Sequence, residues 1–418
     1  MAQPQFITGL DIGSSAIRIV TGQLLEKNDG VDLQIIAAAD APAGGISKGI
    51  ITSIEDATAS VSYCLEKVER MIGTTLSSTW VGISGQHIIT EESRGVIAVS
   101  KPDGEIKEED VERAIDAART VATPLNYEIL HVIPRSFTID GQPNIKDPIG
   151  MTGIRLEVDA QIIQGLSSQI KNLTKCIYRT GLDIEDLVLS ILATCEAVIT
   201  KRQKELGVMV VNIGSSTTSF AVFEEGDLLH SGVVPIGGDH ITKDLAICLR
   251  SSVDVAERVK LEYGAALSRD LNKKDEISLA ELGGENDFAS RKYVAEIIEA
   301  RVEEIYDRLD KELKKIGRSG MLPAGVVLTG GGAKLNGLVE AAKEKLKLPA
   351  SLGYPIGFMS AVDKINDPAF ATAAGLVVWG AQAQKGQTRG GFGGIMSRLG
   401  NVGQASTVFK KWIKSLMP

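Results

Sequence analysis

The chain reads GLDIGSSAIR from Gly9 to Arg18 and VNIGSSTTSF from Val211 to Phe220. The two cores, DIGSS (Asp11–Ser15) and NIGSS (Asn212–Ser216), sit about two hundred residues apart and differ in their first residue. Each follows a short β-branched run and precedes another, so each reads as the turn of a strand–turn–strand hairpin. Gly13 and Gly214 supply the close backbone approach that such a turn needs. Ser14, Ser15, Ser215, Ser216 and Thr217 add hydroxyls, and the N–H groups of the turn form a concave anion site. One such turn is an ordinary hairpin. Two in matching contexts are what a clamp on a polyphosphate requires. Arg18 lies seven residues after Asp11, which puts them on opposite faces of an ideal strand. A shared site therefore needs the turn to reset the register.

The context is duplicated as well. Strand-like QFITGLDIG, AIRIVTGQLL and DLQIIAAADA lead to a helix over Ile54–Ile72, with Ser53 as N-cap and Gly73 as stop. After Gly207, VMVVNIGSSTTSFAVFEEGDLLHSGVVPIGG repeats the strand order. Helices follow at Asp239–Leu249, Val253–Tyr263 and Ser290–Ile316, then GVVLTGGGAKLNGL and a last helix near Pro368–Gln384. An earlier helix is expected around Ala193–Glu205, and a small α/β block with turn-rich loops around Ser84–Ile163. The run Gly330-Gly331-Gly332 lies between a strand and a helix, which predicts N–H groups and a helix N-terminus facing a ligand. It fits neither GxGxxG nor GxxxxGK[ST], so a Rossmann dinucleotide site and a P-loop are not indicated.

A chain of 418 residues is expected to divide into at least two lobes. Forty-five basic and 53 acidic residues give a net charge of −8, which argues against a nucleic-acid binder. Cys64, Cys176, Cys195 and Cys248 form no CxxC pair and suggest buried thiols in a reducing cytosol. The four histidines form no ligand pair at helical spacing, so no metal–histidine centre is expected. No signal peptide is legible at the start, and no run of about 18 apolar residues spans a bilayer.

The charge is unevenly placed. From Ala381 onward there are six Lys/Arg and no Asp/Glu, which leaves the remainder at −14. This tail opens as a Gly/Gln/Ser-rich stretch that reads as a flexible linker. It ends in VFKKWIKSLM, where Phe409, Trp412, Ile413, Leu416 and Met417 recur at i, i+3, i+4, i+7 and i+8. Lys410, Lys411 and Lys414 take the opposite side. A basic face against an aromatic and aliphatic face reads as an interfacial membrane helix. The alternative is a last core helix, against which the long linker argues.

Asp11-Ile-Gly-Ser-Ser with Arg18 resembles the phosphate-1 motif of the actin/Hsp70/sugar-kinase superfamily, where Lys often holds the Arg18 position. VVNIGSSTTSF resembles phosphate-2, VVLTGGGAKLNGL the adenosine motif, LATCEAVI connect-1, and AAGLVVWG connect-2. Within the superfamily the chain most resembles the FtsA family, bacterial cell-division actin homologues. The insert after VGISGQHI, with EESRGVIAVS and EILHVIPRSFTIDGQ, matches the subdomain 1C that this family carries in place of the 1B subdomain of actin.

The resemblance implies a two-lobed α/β actin-like ATPase fold. Residues 1–83 and 164–205 form lobe I, 84–163 the insert, and 206–365 lobe II. A closing helix over 366–384 returns to lobe I, 385–406 is the linker, and 407–418 is the membrane-targeting helix. It also implies binding of ATP and magnesium, self-polymerisation, attachment to the cytoplasmic membrane at the division site, and partnership with FtsZ and other division proteins. By position, Asp11 and Asn212 lie near the magnesium ion, which they reach through water. Gly13, Ser14, Ser15, Arg18, Gly214, Ser215, Ser216, Thr217, Gly237 and Gly238 hold phosphates. Glu257, Lys260, Gly330, Gly331 and Gly332 flank the adenosine. Glu196 falls where related filaments keep a water-orienting acid; a solvated helix carboxylate is the plain alternative. For Glu257 and Lys260 the alternative is an i,i+3 ion pair.

Asn212 departs from the pattern, because the superfamily usually has Asp there to hold the metal's water shell. Asn keeps the shape and loses the charge. Binding of ATP should survive and hydrolysis should be weak or absent, with Asn212→Asp expected to raise phosphate release. A kinase of the same fold would need a base in the cleft and no lipid tail. A PilM-like assembly module would share the insert, lack the tail and not polymerise.

Overall fold

The computed structural model describes residues 6–388, apart from 28–29, 101–103, 121–123, 273 and 285–287. The tail residues Phe409 to Met417, the 407–418 helix and most of the 385–406 linker lie outside the described residues.

β1 (Phe6–Ile12), β2 (Ala16–Lys27) and β3 (Gly30–Pro42) form an antiparallel meander. A small hairpin, β4 (Ile46–Ser47) and β5 (Ile50–Ile51), leads to α1 (Ile54–Ile72). Ser53 Oγ accepts from the Asp56 amide at 3.3 Å, and Gly73 ends the helix at φ 73°. β6 (Ser78–Ile83) then lies parallel to β1.

The insert follows as β7 (Ile88–Ala98), α2 (Glu108–Arg119), β8 (Tyr127–Ile139), β9 (Gln142–Ile145) and β10 (Arg155–Leu166). Its strands form one antiparallel sheet in the order β7-β10-β8-β9. Ala114, Ile115 and Ala118 of α2 close a separate core with Phe137, Leu156, Val158 and Ile162. The insert also reaches across to lobe II, where Gln161 Nε2 donates to the Leu229 carbonyl at 2.5 Å.

Lobe I resumes with α3 (Ser167–Tyr178), β11 (Asp183–Leu189), α4 (Ser190–Val198) and α5 (Lys201–Leu206). Lobe II begins with β12 (Val208–Ile213), β13 (Thr218–Glu224) and β14 (Asp227–Val234). Next come α6 (Gly238–Cys248), α7 (Val253–Tyr263), the short pair β15 (Glu276–Ser278) and β16 (Phe288–Ser290), and α8 (Arg291–Lys315). β17 (Val326–Thr329), α9 (Leu338–Leu346), β18 (Ala350–Leu352), β19 (Met359–Ser360) and α10 (Ala371–Thr388) are the last of the described elements.

The sheet orders reveal the duplication. Lobe I reads β11-β6-β1-β2-β3, with β19 added at the edge, and lobe II reads β18-β17-β12-β13-β14. β6 runs parallel to β1 as β17 runs parallel to β12. Strand alternation divides the lobe II sheet between two cores. Val208, Val210 and Ala221 belong to the core shared with lobe I, whereas Met209, Val211, Phe220 and Val222 pack under α6 to α9.

From Ala371 to Ala381 α10 is largely apolar on every side, which suits a helix enclosed by protein. Ala371, Ala373, Ala374, Leu376, Val377 and Ala381 are all buried. It crosses α4 so closely that a side chain on Gly375 would begin 1.9 Å from the Ala193 carbonyl oxygen. This crossing is where lobe I and lobe II share one core.

Four details differ from the sequence-based expectation. The helix expected over Ala193–Glu205 is two helices, because Thr200 caps a new one by accepting from the Gln203 amide. The GGG run opens a 3-10 turn over Gly331–Lys334 rather than a helix directly, and the following α-helix starts only at Leu338, a residue that borders the cleft between the lobes. α10 continues to Thr388, past the expected end at Gln384. Cys248 is exposed, unlike Cys64, Cys176 and Cys195.

Gly375→Ala should lower stability by about 3 kcal/mol or more, because backbone of two buried helices would have to separate. Thermal and urea melts of the variant test this; a melt equal to wild type would contradict the crossing as described.

Candidate functional site

The two turns are built alike. Gly13 N donates to Ala16 O at 3.1 Å, and Gly214 N donates to Thr217 O at 2.9 Å. A side chain on Gly13 would begin 2.8 Å from that Ala16 oxygen, and one on Gly214 would begin 2.9 Å from the Thr217 oxygen. Both positions thus exclude a side chain for the same reason. The turn also resets the register. Asp11 pairs directly with Arg18 across β1 and β2, and Asn212 with Ser219 across β12 and β13.

The two hairpins face one another across a cleft between the lobes. Its inner chamber, about 100 Å³, is lined by Asp11, Gly13, Ser14, Asn212, Ser216, Thr217 and Gly330, among others. Its outer chamber, about 590 Å³, is lined by Glu257, Lys260, Arg291, Tyr306, Gly332 and Asn336, among others. Ser15, Arg18, Gly214, Ser215 and Gly331 line both, so the two are one continuous space. The outer volume is that of a small-molecule site.

The cleft holds a guanidinium with one unpartnered nitrogen and a carboxyl raised by burial. Arg18 Nε is buried and has no hydrogen-bond partner among the described residues. Its guanidinium stands 5.7 Å from the Phe370 ring centroid. Burial pushes the Asp11 carboxyl up to about 6, and the positive charge of Arg18 pulls the other way. An anion beside Arg18 and a cation beside Asp11 would satisfy both.

Other groups arrange the walls. Gly238 stands at the start of α6, and Gly237 packs against the second turn. A side chain on Gly237 would begin 2.6 Å from the carbonyl oxygens of Gly214 and Ser215. Lys260 Nζ donates to Glu257 Oε2 at 2.6 Å and to Thr242 Oγ1 at 2.8 Å, so the i,i+3 ion pair exists and ties α7 to α6 within the outer chamber. At the mouth, Lys334 pairs with Asp367 at 2.7 Å, and Lys364 pairs with Asp40. Gly330 adopts φ 87°, and a side chain there would begin 2.3 Å from Asn212 Oδ1. Residue 330 must therefore be glycine on both counts.

Two sequence expectations change. Glu196 lines neither chamber; it pairs with Lys204, and Gln382 Nε2 donates to it at 3.2 Å. It joins α4 to α5 and α10, and a role as water-orienting acid is not supported by this placement. Ser215 and Ser216 donate their hydroxyls to Asp239 Oδ2, at 2.8 and 3.1 Å, rather than presenting them to the cleft. Asp239 escaped the sequence reading, although it directly follows Gly237-Gly238. Ser219 and Ser84 were missed too; their hydroxyls meet at 3.1 Å and join the lobes beside the inner chamber. The position of Ser219 opposite Asn212, equivalent to Arg18 opposite Asp11, was the available signal.

The model of the family "Cell division protein FtsA" matches residues 209–375, and that of the "SHS2 domain inserted in FTSA" matches residues 85–164. The chain is 35% identical over 381 residues to the cell division protein FtsA of Pseudomonas aeruginosa, covering 91% of this chain and 90% of that protein. It is 36% identical over 427 residues to the FtsA of Neisseria meningitidis, covering 99% of both. Among solved structures, a PilM–PilN type IV pilus biogenesis complex superposes with a TM-score of 0.65 at 18% identity, over 90% of this chain and 98% of that chain. That likeness establishes the shared actin-like fold.

The raised Asp11 carboxyl gives a signed pH prediction. A carboxyl with a folded value near 6, above its ordinary 3.8, favours folding only while protonated. Its contribution is complete below about pH 4 and lost as pH rises through 6. Asp11→Asn should therefore stabilise the ligand-free chain at pH 7.5 by up to about 3 kcal/mol, with the gain vanishing near pH 4. Urea melts across that range test it; a variant less stable than wild type at pH 7.5 would contradict it.

Proposed function

The chain belongs to the FtsA family of cell-division proteins, and from that membership we propose an ATP-binding, self-polymerising protein that tethers FtsZ to the cytoplasmic membrane. The observation that carries this reading is the pair of equivalent hairpins on opposite walls of one cleft. A polyphosphate entering between them meets backbone N–H groups from both lobes, which favours lobe closure around it.

In this reading Gly13, Ser14, Ser15 and Arg18 hold phosphates from lobe I, and Gly214 and Thr217 from lobe II. Ser215 and Ser216 contribute backbone N–H groups, since their hydroxyls serve Asp239. Gly237 and Gly238 brace the second turn. Glu257, Lys260 and Gly330 to Gly332 border the adenosine. Asp11 and Asn212 would hold a magnesium ion through water together with the nucleotide phosphates, and the ion would supply neutralising charge there. One carboxylate in place of two fits ATP binding with weak or absent hydrolysis.

The tail supplies the membrane contact. Each of Lys410, Lys411 and Lys414 contributes roughly 1 kcal/mol near an anionic leaflet. The apolar face of Phe409, Trp412, Ile413, Leu416 and Met417 adds more, less the cost of ordering a short helix. One tail therefore holds weakly, and a polymer of many tails holds firmly. Polymerisation and attachment at the division site become a single event, with FtsZ and other division proteins recruited to the assembled surface.

Electron microscopy of the full chain with ATP on an anionic lipid monolayer tests this. Filaments on the lipid are expected, and deletion of Val408–Pro418 should abolish their attachment. Lipid binding unchanged by the deletion would overturn the tail assignment. Nucleotide binding without any polymer would favour the PilM-like module.

A further inference from the structure

Asn212 belongs to β12 of lobe II, yet its side chain ends in lobe I. Its Nδ2 lies 3.0 Å from Thr372 Oγ1 on α10 and 3.4 Å from Thr194 Oγ1 on α4. The two threonine hydroxyls are 2.9 Å apart, and both residues are buried. Thr194 Oγ1 is also 2.7 Å from the Ser190 carbonyl oxygen, to which it can only donate.

A hydroxyl has one proton to give. The Thr194 proton goes to Ser190 O, so the proton between the threonines comes from Thr372. Thr372 then offers Asn212 nothing but lone pairs. The sequence of bonds is therefore directional, from Asn212 Nδ2 to Thr372, from Thr372 to Thr194, and from Thr194 to Ser190. Its first member must be a donor. The amide of Asn satisfies this, whereas an ionised Asp accepts only. Carboxylate oxygen at this position would draw the Thr372 proton toward itself and leave the two threonine oxygens facing each other without one. The other end of the amide, Oδ1, lies on the Gly330 side of the inner chamber, in the space that a side chain at residue 330 would take.

We infer that Asn212 is a positioning residue whose amide ties the second hairpin to the α4–α10 crossing, and that the position requires a hydrogen-bond donor rather than a missing charge. The tie acts where the lobes meet, so it sets how the second hairpin faces the first. Its effect on ligand affinity rests on the ATP-binding reading; the tie itself is measurable in the ligand-free chain.

The test compares Asn212→Asp, Asn212→Ala, Thr372→Val and Thr372→Ser in the full chain. Two readouts are used, ligand-free melting temperature and affinity for ATP in EDTA. Asn212→Asp and Thr372→Val should each lower the melting temperature by about 2–4 °C and weaken metal-free ATP binding about tenfold. Thr372→Ser keeps the hydroxyl and should retain wild-type values for both. Asn212→Ala with Thr372→Val should cost no more than the worse single change, because both interrupt one chain of bonds. The inference fails if Asn212→Asp leaves melting and metal-free affinity unchanged and alters only the magnesium dependence. It fails equally if the two losses add. Loss of ATP binding in wild type with the melting pattern intact would uphold the tie and remove the nucleotide reading.

Discussion

The carbonyl of Ala193 stands where a side chain of residue 375 would begin, and from that one close approach the geometry of the protein follows. Two buried helices, α4 and α10, meet there with nothing but backbone between them. Strands of lobe I pack on them from one direction, and one face of the lobe II sheet from the other. Residues equivalent by duplication are thereby held in opposition, and the cleft lies between them. Within the crossing Thr194 and Thr372 carry the two buried hydroxyls that meet Asn212. A buried polar group without a partner is costly, so this small network specifies one arrangement of the lobes as well as stabilising it.

The cleft combines rigid and adjustable parts. The turns are fixed by backbone hydrogen bonds and by glycines that allow no substitute. The mouth is bordered by ion pairs between half-exposed side chains, Lys334 with Asp367 and Lys364 with Asp40. Such pairs contribute little individually and exchange readily with solvent, so entry to the outer chamber does not require the frame to deform. At the closed end the reverse holds. Asp11 and Arg18 are adjacent; burial raises the Asp11 carboxyl against the pull of Arg18, and Arg18 Nε has no hydrogen-bond partner among the described residues.

Much of the frame was legible in the sequence because it rests on periodicity and repetition. The two GSS turns, the α1 caps and the repeated succession of strands along the chain appear directly in residue types. Asp11 opposite Arg18 was not, since a seven-residue spacing separates faces on a continuous strand and only the turn reunites them. Glu196 was misplaced for a related reason. Its motif fixes a position on α4, but the face it occupies depends on Lys204 and Gln382, which come from other elements. Asp239 and the Thr194–Thr372 pair were invisible because their partners are remote in the chain, up to 178 residues apart. The two threonines did leave a trace, an Ala-Thr pair in each of two helices, Ala193-Thr194 and Ala371-Thr372.

The central claim is that both hairpins grip one polyphosphate. Calorimetric titration of the full chain with ATP, ADP, AMP and adenosine under one magnesium concentration tests it most directly. The account predicts a single site whose affinity falls steeply from ATP and ADP to AMP, with adenosine weakest, because each phosphate removed withdraws ligand from one wall of the clamp. Adenosine binding as tightly as ATP would contradict it.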